Sequence, residues 1–185
     1  MINVMLVDDH DIVRKGIKRL LDDTQGIKVI AEAPDGEQAI SQVRMQKPDV
    51  ILMDISMPGI GGLEATRKIT RGSPGMKVIA VTVHDDDPFP ARLLEAGAAG
   101  YITKGCDIDE IIAAIKSVYS GNQYITPGVA QKLALSLVNN RGKSLLEELT
   151  QREVQVMLMV VKGESNREIS EKLCLSPKTT STYRC

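Results

Sequence analysis

Over the first 120 residues, short apolar runs alternate with amphipathic stretches. Ile2–Val7, Lys28–Ala33, Val50–Met53, Lys77–Thr82 and Gly100–Ile102 read as strands. The run VILM at 50–53 lacks period-2 alternation, as a strand covered on both faces should. Between these runs, Ile12, Val13, Gly16, Ile17, Leu20 and Leu21 recur at helical spacing. Ala39, Ile40 and Val43 do the same, and so do Ile108, Ile111, Ile112 and Ile115. Five strands, each followed by a helical segment, predict an α/β fold: a doubly wound (βα)5 parallel sheet with helices on both faces.

The pattern changes after Ser120-Gly121-Asn122. Thr126-Pro127 reads as an N-cap with proline in the first turn, opening an amphipathic helix to Val138 with Val129, Leu133 and Leu137 on one side. Asn139 to Lys143 is a polar break. From Leu149 short helices follow, divided at Gly163 and at Ser176-Pro177, and Thr150 with Glu153 forms a capping box ahead of VQVMLMVV. The expected organisation is a domain at 1–120, a linker with a helix at 121–148, and a small all-α domain at 149–185.

Charge separates the same parts. The overall formal charge of −1 resolves into −4 for residues 1–122 and +3 for 123–185. An acidic first part suits a metal site and a basic second part suits phosphates. Only five residues are aromatic, which excludes a stacking platform for single-stranded nucleic acid. Three widely spaced cysteines support neither a disulfide framework nor a zinc ribbon. No apolar run reaches the length of a membrane span, and Asp8 and Asp9 interrupt any secretory apolar region. A reducing cytoplasm is the expected location.

In an open parallel sheet, ligands gather outside the carboxyl ends of the strands. Asp8 and Asp9 follow the first strand, Asp54 ends the third, Thr82 ends the fourth and Lys104 follows the fifth. Taken singly, each has a plain structural explanation: Asp8 and Asp9 as helix caps, Asp54 as a turn residue, Thr82 as a strand residue, Lys104 as a solvated lysine. Their arrival on one rim is what points to chemistry. Three converging carboxylates repel one another, and a divalent cation removes that repulsion; hard oxygen ligands favour magnesium. A neighbouring lysine helps neutralise a phosphoryl group, and an ionised carboxylate can attack phosphorus in line. Asp54, on a central strand, is the nucleophile candidate, and the Thr82 hydroxyl can report the new phosphoryl oxygen.

Other features carry less. Met57 to Gly62 is glycine-rich but follows the third strand and lacks the lysine of a phosphate loop, so Pro58 to Gly62 reads as a turn bordering the site. Asp85 to Asp87 reads as a solvated first turn of a helix. His10 and His84 are too few for a histidine-rich metal site, and Cys106 and Cys174 read as small core residues.

VDDH, LMDISMPGIGG, VIAVT and AGAAGYITKG closely resemble the receiver domain of bacterial two-component response regulators, whose sheet order 2-1-3-4-5 is thereby implied. The segment from Leu149 resembles the LuxR-type helix-turn-helix of the NarL/FixJ subfamily, and MPGIGGLEATRK with AGAAGY is most similar to its GacA/UvrY/LetA group. The resemblance implies Asp54 as phosphoacceptor for a sensor histidine kinase. It further implies Asp8, Asp9 and the Ser56 carbonyl as magnesium ligands, Thr82 and Tyr101 as a switch pair, and Lys104 as a phosphoryl contact. A phosphorylation-dependent homodimer acting on promoter DNA is the implied output. Gly105 stands where many receivers have proline.

In the second domain Thr180 replaces an apolar valine of the family pattern, and the chain stops eight residues after Pro177. Lys178, Thr179, Ser181 and Arg184 fall where a recognition helix begins and are the expected DNA contacts. The expectation is a C-terminally truncated, incomplete helix-turn-helix, either a fragment or a natural truncation, with weak and unselective DNA binding. Two competing functions follow. One is a receiver acting only through protein contacts, as a phosphate sink or heterodimer partner. The other is an aspartyl-nucleophile phosphohydrolase, which wants a second aspartate two residues after Asp54, where this chain has Ser56.

Overall fold

A computed structural model of the chain describes residues 1–82, 90–126, 128–131, 153, 156–157, 159–160 and 165–173. The chain divides into two compact units, Met1–Ala134 and Leu135–Cys185.

In the first unit, β1 (Ile2–Val7), β2 (Ile27–Ala33), β3 (Val50–Asp54), β4 (Lys77–Thr82) and β5 (Gly100–Thr103) alternate with α1 (Asp11–Asp22), α2 (Gly36–Gln46), α3 (Gly61–Gly72), α4 (Pro90–Glu95) and α5 (Ile108–Tyr119). A further two-residue strand, β6 (Tyr124–Ile125), pairs in parallel with β5, giving the order β2-β1-β3-β4-β5-β6. The sequence pattern predicts five strands and not this one, because two residues show no periodicity. The reading of β1 and β4 agrees residue for residue, while β2, β3 and β5 each gain one residue at an end. Asp54 is thereby the last residue of β3 itself.

Both faces of the sheet are covered. Val4, Leu6, Val50, Leu52, Ile79 and Val81 pack with Leu21 of α1 and with Ile111, Ala114, Ile115 and Val118 of α5. Met5, Ile51, Met53 and Ala80, the alternate positions, are equally buried. That is why VILM carries no polar residue: both of its faces meet apolar neighbours. Asp35 and Asp107 start α2 and α5 by accepting the N–H groups of Gln38 and Glu110.

Helix α1 departs from the simple expectation. Its apolar residues fall into two stripes, and only one faces the sheet. Ile17 and Leu21 pack inward, whereas Ile12 is 88% exposed and Leu20 half exposed. Helical spacing locates the helix, but it does not tell which of two apolar stripes is buried.

Beyond β6, residues 128–131 are helical, Ala130 N–H donates to the Thr126 carbonyl, and Val129 is fully buried. The remainder of that predicted helix, the polar break at 139–143, and Thr150 lie outside the described residues. In the second unit, α6 (Asn166–Lys172) opens on a capping box that the sequence reading passes over. Ser165 N–H and hydroxyl both donate to Glu168 at 2.7 Å, and Glu168 N–H donates back to the Ser165 hydroxyl. Ile169 and Leu173 pack on Val156, with Met159 and Val160 beside them.

Candidate functional site

The parallel register builds the site. Val7 lies opposite Met53, Asp54 opposite Val81, and Thr82 opposite Thr103. The residues that end or follow these strands therefore share one rim, and they are the acidic pair, Asp54, Thr82 and Lys104.

Asp54 is 1% exposed, and its carboxylate is held from two directions. Lys104 Nζ donates to Oδ2 at 2.7 Å, and the Ser56 N–H donates to Oδ1 at 3.0 Å. The same ammonium lies 2.8 Å from Asp8 Oδ2, so one cation bridges two carboxylates. Lys104 is positioned by its own backbone, whose N–H donates to the Thr82 carbonyl at 2.6 Å. Burial pushes the Asp54 carboxyl above the ordinary range, and nearby Asp8 adds to this, while Lys104 and the Ser56 amide oppose it. Burial draws the Lys104 ammonium down, but its bonds to Asp54 and Asp8 outweigh that and hold it above the ordinary lysine value.

Asp8 does not cap α1. Its Oδ1 accepts the N–H of His10, the residue at the N-cap, and the His10 side chain makes no capping bond. Asp8 is fixed further by Arg14, whose Nη1 donates to the Asp8 carbonyl at 2.5 Å. Asp9 Oδ1 is buried and accepts no hydrogen bond, although His10 Nδ1 lies 2.9 Å away. Among the described residues, Asp8, Asp9, His10 and Asp54 form a group whose potential ligand atoms lie within 4.8 Å of one another. A buried carboxylate oxygen without a donor, in a cluster of three acids, fits a bound divalent cation. Ser56 is exposed beside this group.

Thr82 is fully buried, and its hydroxyl lies 3.3 Å from that of Tyr101, itself 1% exposed. The structure thus holds the Tyr101 ring in the inward position. Cys106 packs against the main core, and burial pushes its thiol up to about 11, which disfavours the reactive thiolate. Of the expected turn from Pro58 to Gly62, Pro58 to Ile60 are a bend and turn, whereas Gly61 and Gly62 already form the first residues of α3. Gly59 adopts φ +75°, and the Glu37 carboxylate of α2 accepts the Ile60 N–H at 3.2 Å. Gly62 sits so close to the end of β3 that a Cβ there would lie 2.1 Å from the Asp54 carbonyl oxygen.

Sequence reasoning missed three members of this neighbourhood: His10, Arg14 and Glu37. Two histidines in the chain give no sign of a histidine site, yet the place of His10 directly after Asp9 carries it to the rim. Lys178, Thr179, Ser181, Arg184, His84, Cys174 and Asp85 to Asp87 lie outside the described residues. Among the described residues, no helix is long and apolar enough to cross a membrane.

Comparison with known proteins agrees with this geometry. Residues 4–116 match the response regulator receiver domain family, and residues 147–185 match the LuxR family of bacterial regulatory proteins. The whole chain is 54% identical to the response regulator UvrY of Escherichia coli K12 over 185 residues, spanning 85% of that protein. It is also 54% identical to the response regulator GacA of Pseudomonas viridiflava, covering all of this chain and 86% of that one. A crystal structure of a LuxR-family two-component response regulator from Aurantimonas sp. SI85-9A1 superposes with a TM-score of 0.70 at 40% identity, over 74% of this chain and 97% of that one. The LuxR-family match favours a transcription regulator over a receiver acting through protein contacts alone, and over a phosphohydrolase. The chain belongs to the bacterial response regulators that join a receiver domain to a LuxR-type DNA-binding domain.

Proposed function

We propose that Asp54 is the phosphoacceptor of this response regulator, with a sensor histidine kinase as donor, and that the acidic rim holds magnesium through Asp8, Asp9, Asp54 and the Ser56 carbonyl. The observation that carries the reading is the single lysine bridging Asp54 and Asp8 at 2.7 and 2.8 Å beside Asp9 Oδ1, a third carboxylate oxygen that accepts no hydrogen bond. An Asp54 oxygen attacks phosphorus as the P–N bond to the donor imidazole breaks, and the imidazole leaves with the electron pair. Magnesium, when bound, neutralises charge on the phosphoryl oxygens. Lys104 supplies a second positive charge there, and the Ser56 N–H keeps Asp54 oriented. The Thr82 hydroxyl then donates to a phosphoryl oxygen, a charge-assisted bond contributing roughly 1.5–3 kcal/mol. That bond competes with its contact to Tyr101, and the pair thereby signals to the face built by α4 and β5. The output is a phosphorylation-dependent homodimer that binds promoter DNA in the cytoplasm. In this reading residues 1–120 are the receiver, 121–148 the linker and 149–185 the DNA-binding part, with Lys178, Thr179, Ser181 and Arg184 at the DNA.

The test is phosphorylation by acetyl phosphate followed by intact mass spectrometry. Wild type should gain one phosphoryl group in the presence of magnesium, and Asp54→Asn none. Equal labelling of the two proteins would overturn the assignment.

A further inference from the structure

His10 places a nitrogen beside the carboxylates that converge at the strand ends. Its Nδ1 lies 2.9 Å from Asp9 Oδ1 and 3.3 Å from Asp8 Oδ1. Lys104 contacts other oxygens of the cluster, Oδ2 of Asp8 and of Asp54. The lysine thus takes the Oδ2 atoms and the histidine the Oδ1 atoms, among them Asp9 Oδ1, which accepts no hydrogen bond. We propose that His10 is a fourth protein ligand at this rim, whose imidazole raises its affinity for borderline divalent cations such as cobalt, nickel and zinc while adding little for magnesium. The inference rests on reading the rim as a metal site and extends it to which metals the site prefers.

Distances and chemistry agree. Ligand atoms bound to one cation at about 2.0–2.2 Å lie no more than roughly 4.4 Å apart. The potential ligand atoms of the cluster all lie within 4.8 Å of one another, close to that limit. An imidazole nitrogen and a carboxylate oxygen 2.9 Å apart repel through their lone pairs unless a proton or a cation relieves them. Carboxylates and water suit magnesium, whereas imidazole suits borderline cations such as nickel and zinc, and affinity for a nitrogen-containing site rises from cobalt to nickel. The ring has room to adjust, since its side chain is 62% exposed and makes no capping bond. For the same reason a substitution there leaves the fold intact.

The alternative role for His10 is positioning, with an Nδ1–H donating to Asp9 and no contact to the metal. Calorimetric titration with Co2+ and with Mg2+ at neutral pH, using wild type, His10→Ala and His10→Gln, separates the two. His10→Gln keeps a donor for Asp9 but offers no imidazole. Both variants should lose about ten-fold or more in Co2+ affinity, with Mg2+ affinity unchanged, and the visible absorption of bound Co2+ should change because a nitrogen ligand is lost. An equal loss for both cations, or full Co2+ affinity in His10→Gln, overturns the assignment. Failure of wild type to bind either cation refutes the rim as a metal site, and the role of His10 with it.

Discussion

Gly62→Ala tests how tightly the end of β3 is seated against α3. The new Cβ would lie 2.1 Å from the Asp54 carbonyl oxygen and 2.7 Å from the Ile55 Cα, both backbone atoms. Contacts under 3.0 Å are essentially never seen for a real Cβ, so strand and helix must part by about 0.9 Å. Alanine offers about 1 kcal/mol of helix propensity over glycine. Overpacking against backbone costs typically 1–3 kcal/mol and here falls at the upper end, because no side-chain rotation relieves it. The net expectation is a loss of roughly 1–2 kcal/mol, read as a lower urea midpoint at constant slope. The chemical effect should be larger than the thermodynamic one. The displaced peptide carries the Asp54 carboxylate, whose bonds to Lys104 and Ser56 are 2.7 and 3.0 Å long. Misplacing a reacting group by about 1 Å costs up to roughly 10²-fold in rate. Labelling by acetyl phosphate should slow accordingly. Gly105→Ala, with no heavy atom within 4 Å of its Cβ, is the control and should shift stability by less than about 0.5 kcal/mol. A Gly62→Ala protein with wild-type midpoint and labelling rate would refute the close-approach argument.

Further predictions concern the charges. Asp54→Asn should stabilise the protein at neutral pH, because the folded state holds this carboxyl above its ordinary value and so binds the proton more tightly than the unfolded chain does. Its contribution is full below the ordinary carboxylate range and is lost as pH rises through the raised value; the variant should flatten that dependence, and lower neutral-pH stability in urea titrations would contradict it. Lys104→Met removes the cation from two carboxylates and should cost about 2–3 kcal/mol, below the 3–5 of a fully buried pair, because the lysine side chain is 16% exposed; an unchanged urea midpoint would refute this. Thr82→Ala should still take the phosphoryl group but lose phosphorylation-dependent association, and equal sedimentation of the two phosphorylated proteins would refute the switch role.

Much of the site was legible in the sequence because it depends on strand ends, and strand ends follow from where apolar runs stop. VDDH and LMD mark two such stops, and the parallel register brings Asp8 and Asp54 together without any information about side-chain packing. What escaped was set by packing. The inward stripe of α1 depends on how the helix meets the sheet, so Ile12 and Leu21 look alike in sequence and differ completely in exposure. Glu37 reaches the turn at Ile60 across 23 residues, a contact with no local signal. The β6 strand forms because Tyr124 and Ile125 find the open edge of β5, and two residues carry no pattern of their own. His10 was visible as a letter, but its role at the rim emerges only from the 2.9 Å approach to Asp9.

The central claim is that Asp54, held by Lys104 and Ser56 at the end of β3, accepts the phosphoryl group. Borohydride reduces an aspartyl phosphate to homoserine, which marks the acceptor in the chain. Protein labelled with acetyl phosphate and magnesium, reduced, digested and sequenced by mass spectrometry, should carry homoserine at position 54 and at no other aspartate. Homoserine at Asp8 or Asp9 instead, or its appearance in Asp54→Asn, would contradict the account.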